Sequence, residues 1–195
     1  MKIFLLILIT LLLLLFVSYW ILIGPAEKPN PEIITLQEPV YIVGLGIATN
    51  DRDIYKDVEA IAAKFKVLKG ENSIMHLKQP WASINISRDY NPEEKTFTYI
   101  VGDVVTAIDA VPPGLKYYEI PAISYAVFPI RPRSRFAWGI TMGRMKRFIY
   151  TEWLPKSGYR PSGLIGDFEL HDERSLGKKP EIRLYVAIEE LTSFV

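Results

Sequence analysis

The run Phe148-Ile149-Tyr150-Thr151-Glu152-Trp153-Leu154-Pro155-Lys156-Ser157-Gly158-Tyr159 changes character half-way along. Up to Leu154 its apolar residues keep helical spacing. Ile149 and Trp153 continue a stripe begun by Trp138, Met142 and Met145, which predicts a helix over Phe136 to Leu154. Pro155 has no amide hydrogen to continue that ladder, and Gly158 loosens the backbone just beyond it, so the helix ends here.

Working outward, the residues before this helix, Pro121 to Phe128, are β-rich. Those after it form two strand-like runs, Gly166–Asp172 and Glu181–Glu189. The order is β-α-β-β. The same order occurs upstream. Pro39 to Ile47 reads as a strand, and Asn50 or Asp51 can cap the next helix. Ile54, Val58, Ile61, Ala62, Phe65 and Leu68 form its apolar face. Strands at Trp81–Arg88 and Thr96–Val105 follow, joined around the turn-forming Tyr90-Asn91-Pro92-Glu93. Pro39 and Pro121 mark equivalent starts about 80 residues apart, the mark of an internal duplication. The expected fold class is α+β: duplicated β-α-β-β modules, each helix covering a sheet face, with a cleft between the halves.

The N-terminus is of another kind. Ile3 to Ile23 contains no charged residue, and about 20 apolar residues suffice to cross a bilayer as a helix. Tyr19 and Trp20 suit the headgroup level, and Gly24-Pro25 stops the helix. A cleaved signal peptide has a shorter apolar region ending in small residues, which Ile21 to Ala26 does not supply. The expected organisation is a single-pass transmembrane helix over 1–25, an extended linker over 26–37 stiffened by Pro29 and Pro31, and a folded domain over 38–195. Lys2 and the amino terminus precede the helix, whereas Glu27, Lys28 and Glu32 follow it. The positive-inside rule then places the domain on the extracytoplasmic side.

Of 23 basic residues only Lys2 lies in the anchor, which leaves the domain 22 basic against 22 acidic residues. That balance argues against a nucleic-acid partner and against a broad electrostatic grip on anionic lipid. Without cysteine, and with His76 and His171 as the only histidines, no metal site is expected. No nucleophile elbow, phosphate loop or dinucleotide fingerprint appears, so no cofactor is expected either. Gly44-Leu45-Gly46 reads as a bulge or close backbone approach.

Several stretches resemble the GyrI-like effector-binding fold, also found as the ligand-binding half of AraC- and MerR-type regulators. They are Ile120 to Phe128, Phe148 to Tyr159, Glu169-Leu170 and Leu184-Tyr185-Val186-Ala187-Ile188, with Glu152 to Tyr159 the most specific. The resemblance spans Glu38 to Glu190 and implies small molecules, often cationic and aromatic, held between the halves. Two departures stand out. There is no helix-turn-helix module, so direct DNA reading is not expected. Where the family's last strand often carries a Glu two residues before the Tyr, this chain has Arg183, which puts the cationic preference in doubt.

The candidate ligand-binding residues are Tyr125, Tyr185, Arg183, Glu181, Glu119, Glu169, Trp81 and Tyr90. Arg183 reads either as a pocket charge, binding an anion or paired with Glu181 or Glu119, or as a solvated strand residue. Trp138 and Trp153 belong to the helix stripe and read as core, whereas Tyr125 and Tyr185 lie on strands and suit a cleft wall. Arg131, Arg133 and Arg135 precede the second helix, as a headgroup or phosphate site or as a solvated loop. Three functional readings follow. The leading one is a membrane-anchored binding protein for a small amphipathic or aromatic molecule. The second is a hydrolase using Glu119, Glu169 or Glu181 as general base. The third is a protein-interaction adaptor, resembling an endoplasmic-reticulum autophagy receptor that carries a GyrI-like domain and adds an acidic tail, whereas this chain ends at Val195.

Overall fold

The structure is a computed structural model that describes residues 2–25, 27–134 and 137–191. Arg135 and Phe136 lie outside the described residues. Helix α1 (Lys2–Leu22) is apolar on every side, and the side chains described along it are exposed to their full length, as suits a helix long and apolar enough to span a membrane.

Nine strands and two further helices make up the rest: β1 (Glu32–Thr35), β2 (Val40–Asn50), α2 (Ile54–Glu71), β3 (Ala82–Asn91), β4 (Thr96–Val105), β5 (Lys116–Ile120), β6 (Ser124–Ile130), α3 (Trp138–Phe148), β7 (Tyr159–Pro161), β8 (Asp167–Asp172) and β9 (Ile182–Glu190). The α+β class and the two β-α-β-β halves are as expected. The first half is β2-α2-β3-β4 and the second β6-α3-β8-β9. One correction concerns the linker. Its extended residues do not run free, because Glu32–Thr35 pairs with Ser124–Val127 as an edge strand.

The antiparallel sheet runs β1-β6-β9-β8-β3-β4-β2-β5, with β7 added beside β9. Within it the order β6-β9-β8 is mirrored by β3-β4-β2, so the halves meet where β8 pairs with β3. The outermost strands are exchanged: β1 leads into β2 but pairs with β6, and β5 leads into β6 but pairs with β2.

That exchange forces the sheet to curl. Laid flat, β5 and β6 would stand six places, roughly 29 Å, apart. Residues 121–123 between them reach about 14 Å at most. Residues 36–39 impose the same closure on β1 and β2. The inner face thus becomes a dry core in which Ile42, Ile120, Ile84, Phe168, Tyr125 and Tyr185 meet from strands far apart in the order. Both helices are left to the outer face. There α2 packs Ile61 and Phe65 on Val43, Tyr99 and Val101. Helix α3 packs Met145, and the turn after it Ile149 and Leu154, on Phe128, Leu184 and Val186.

After Phe148 the helix widens for one turn, with the Leu154 N–H donating to the Ile149 carbonyl, then tightens into a short 3-10 turn containing Pro155. The widened turn sets Trp153 edge-on to Phe128 and stacks it on Tyr159.

Gly44 sits opposite Gly102 across the β2–β4 pair, the close backbone approach anticipated for the glycine pair. A Cβ on Gly44 would lie 2.2 Å from the Val101 carbonyl oxygen, which belongs to the ladder and cannot step aside. Gly44→Ala should therefore lower unfolding free energy by about 2 kcal/mol or more. Gly70→Ala, in α2 with nothing near its Cβ, should raise it by about 0.5–1 kcal/mol. Urea unfolding of the two variants checks the contrast in sign.

Candidate functional site

The two helices do not cover the whole outer face. Helix α2 lies over β2 and β4, and α3 over β6 and β9. The central pair β3 and β8 stays open between them. Both strands alternate strictly. Ala82, Ile84, Ile86, Phe168 and Leu170 pack into the curled core. Ser83, Asn85, Ser87, Glu169 and His171 face the gap, with Ser83 opposite His171 and Asn85 opposite Glu169. The result is a cavity of about 1000 Å³, at the upper end of small-molecule sites. Its walls are aromatic and apolar: Tyr55 and Val58 from α2, Trp138 and Met142 from α3, Trp81 just before β3, and Phe97 and Tyr99 from β4.

The floor carries charge. Glu169 Oε2 lies 3.3 Å from His171 Nε2, and Asn85 Nδ2 lies 3.2 Å from the same ring nitrogen. Burial alone would raise the Glu169 carboxyl. The hydrogen bond from His171, the nearby Lys146 ammonium and the Asn85 amide outweigh it and hold the group below its usual range. Lys146 reaches down from α3 and donates to Asp167 Oδ1 at 2.7 Å, and the Tyr150 hydroxyl donates to Asp167 Oδ2 at 3.2 Å. Burial works against the Lys146 charge, but Asp167 and Glu169 more than compensate and raise its pKa. Tyr99 and Tyr150 are pushed far upward, by burial first and then by these carboxylates, and remain neutral hydroxyls.

Of the residues singled out from sequence, Glu169 and Trp81 line the cavity. The expectation that Tyr125, Tyr185 and Arg183 form its wall is corrected. On β9 the outer-face residues are Leu184 and Val186, so Arg183 and Tyr185 point to the opposite side. Tyr125 is fully buried in that inner core, donates to the Pro121 carbonyl at 2.8 Å and meets Phe168 and Tyr185 edge-on. The others stand outside as well. Glu119 is on the edge strand β5, bonded by the Tyr117 hydroxyl. Glu181 is held by Arg131 at 2.6 Å. Tyr90 is exposed and donates to Asp51, which is itself at the cavity rim. Trp138, read as core, does pack on the α3 cluster but also presents a face to the cavity. Lys146, Asn85 and Asp167 were missed. The polar alternation of Ser83-Ile84-Asn85-Ile86-Ser87 was the signal that pointed to an uncovered floor. Among the described residues no cluster suited to a metal ion is found.

The model of Cass2, the integron-associated effector binding protein, matches residues 33–188. The chain belongs to the Cass2 family. No curated protein matches it. Among solved structures, the Cass2-family chain is similar to SAV2435 bound to tetraphenylphosphonium, with TM-score 0.61 and 11% identity over 83% of this chain and 94% of that one. It is similar to the integron cassette protein from the mobile metagenome of Vibrio cholerae, with TM-score 0.56 and 10% identity over 82% and 96%. It is also similar to the C-terminal domain of EcmrR, with TM-score 0.60 and 13% identity over 83% and 98%. At such identities the likeness is one of fold, and it agrees with the GyrI-like reading of the sequence.

Two outcomes test the floor. Lys146→Met leaves Asp167 buried without its cation and should cost about 2–3 kcal/mol by chemical unfolding at neutral pH. Glu169, with its pKa depressed in the folded state, contributes stability that is present above the unfolded value of about 4.5 and is lost as pH falls through its folded value. Glu169→Gln should therefore flatten the acid limb of the stability–pH curve below about pH 4.5, read from unfolding midpoints across that range.

Proposed function

We propose that this Cass2-family chain is a membrane-anchored receptor for a small organic cation bearing aromatic groups, held in the cleft between the two β-α-β-β halves. The observation that carries the reading is Glu169: an ionised carboxylate on the floor of a roomy cavity with aromatic walls. Of the groups lining the cavity, Asp51, Glu59 and Glu169 are acidic, the Lys146 ammonium is engaged by Asp167, and the His171 ring lies against Glu169. A cation entering the cleft gains the Glu169 charge in a low-dielectric setting and the ring faces of Tyr55, Trp81 and Trp138. Arg183, the departure that put cation binding in doubt, faces the other side of the sheet and does not oppose this. The bound tetraphenylphosphonium of SAV2435 is a cation of the same chemical class. A carboxyl held below its usual range suits a fixed counter-charge better than a general base, which works best with a pKa near the operating pH.

In the same reading, α1 is retained as a single membrane span with the domain on the extracytoplasmic side. Its support is the length and all-round apolarity of the helix and the charges flanking it.

Tetraphenylphosphonium titrated into the full chain, followed by quenching of tryptophan fluorescence, tests the cleft. Glu169→Gln should weaken binding at least about tenfold, the loss of a desolvated charge pair. Tyr125→Phe, in the opposite core, should leave affinity within about twofold. Equal affinity for wild type and Glu169→Gln would remove the assignment.

A further inference from the structure

The end of α1 is gripped by the folded domain. The Arg133 Nη1 donates to the Trp20 carbonyl at 3.2 Å and the Ser134 hydroxyl to the Leu22 carbonyl at 2.9 Å. Arg144, on α3, donates through Nη1 to the Gly24 carbonyl at 2.9 Å and through Nη2 to the Tyr19 hydroxyl. These are the orphan carbonyls of a helix C-terminus, where guanidinium groups are favoured. Beside the grip lies a notch of about 20 Å³, lined by Ile23, Pro25, Arg131, Arg133, Thr141 and Arg144.

Three features single out this notch. First, its depth: it opens one residue beyond the apolar helix, next to Tyr19 and Trp20, where headgroup phosphates lie if the helix spans a bilayer. Second, its charge. Arg131 is neutralised by Glu181, and Glu27 stands on the rim. Among the described residues, Arg133 and Arg144 bond only to neutral carbonyls and a hydroxyl, and neither has a carboxylate partner. Third, its donors: a guanidinium has five N–H groups, and these bonds use one of Arg133 and two of Arg144. The volume admits about one oxygen-sized group, so a phosphate would enter by one oxygen with the rest of the headgroup outside.

We propose that this notch binds the phosphate of an anionic phospholipid headgroup from the adjoining leaflet, with Arg133 and Arg144 as its donors. The site rests on the membrane-span reading given above and is separate from the cleft. The domain's overall charge balance is no obstacle, because the attraction is local to two arginines.

The test uses the full chain reconstituted in nanodiscs of phosphatidylcholine mixed with phosphatidylglycerol, with retained lipid counted by native mass spectrometry. Wild type should retain phosphatidylglycerol over phosphatidylcholine by at least about tenfold, and Arg133→Gln/Arg144→Gln should lose that preference. Lys64→Gln/Lys66→Gln, on exposed α2, should keep it. Retention of tetraphenylphosphonium binding by the arginine variant shows that the domain remains folded. Equal retention of the two lipids by wild type, or equal loss in both variants, overturns the notch. So does binding of inorganic phosphate in phosphatidylcholine discs without any lipid preference. Alkaline carbonate extraction of membranes separates the two readings: a chain that stays in the bilayer without lipid preference fails the notch alone, and a chain that is washed out fails the anchor and the notch together.

Discussion

Three residues, 121–123, join two strands that stand six places apart in the sheet, and the molecule is arranged around that limit. A flat sheet cannot satisfy it, so the sheet curls until its edges meet. The inner face is sealed by the curl itself, with Phe168 stacked on Tyr185 and Tyr125 edge-on to both. No helix fits there. Both must lie outside, and two helices cover only four of the six strands in the paired halves. The uncovered pair, β3 and β8, is the cleft floor. The cavity thus follows from the closure and needs no separate device.

Closure also explains where polar groups are tolerated. On the inner face an unpaired charge is costly, and its core is aromatic and aliphatic; the exception is Arg183, whose Nε is buried there without a hydrogen-bond partner. On the outer face the same strands carry Ser83, Asn85, Asp167, Glu169 and His171, each with a hydrogen-bond partner. Lys146 crosses the gap from α3 and is matched to Asp167. Glu169, beside Lys146 and His171, is the carboxylate on the cavity floor. The opposite face of α3 grips the end of α1 through Arg144, so one helix forms a wall of the cavity and the seat of α1.

The α+β class, both β-α-β-β units and the apolar span were legible because each is a local pattern. Periods of 3.6 or 2 show which face of a segment is apolar, and Pro155 and Gly158 stop a helix whatever surrounds it. The strand at Glu32–Thr35 was not legible, since a short extended segment after two prolines becomes a strand only when an edge is offered to it. The Trp81 and Glu169 positions were read from sequence as cleft residues and do line the cavity, whereas Tyr125, Tyr185 and Arg183 were taken for the wrong face.

The last error has a physical root. Alternation along a strand establishes that Leu184 and Arg183 face opposite ways, but both faces of β9 are buried, one under α3 and one inside the curl. Nothing local distinguishes a core closed by a helix from one closed by the sheet itself. The sequence by itself determined the elements, their duplication and the apolar N-terminal helix, because those depend on neighbours a few residues away. Only the tertiary structure decided which sheet face is open, which groups surround each carboxylate and which arginines meet the end of α1, because those depend on contacts between segments far apart in the chain, more than a hundred residues apart for the arginines.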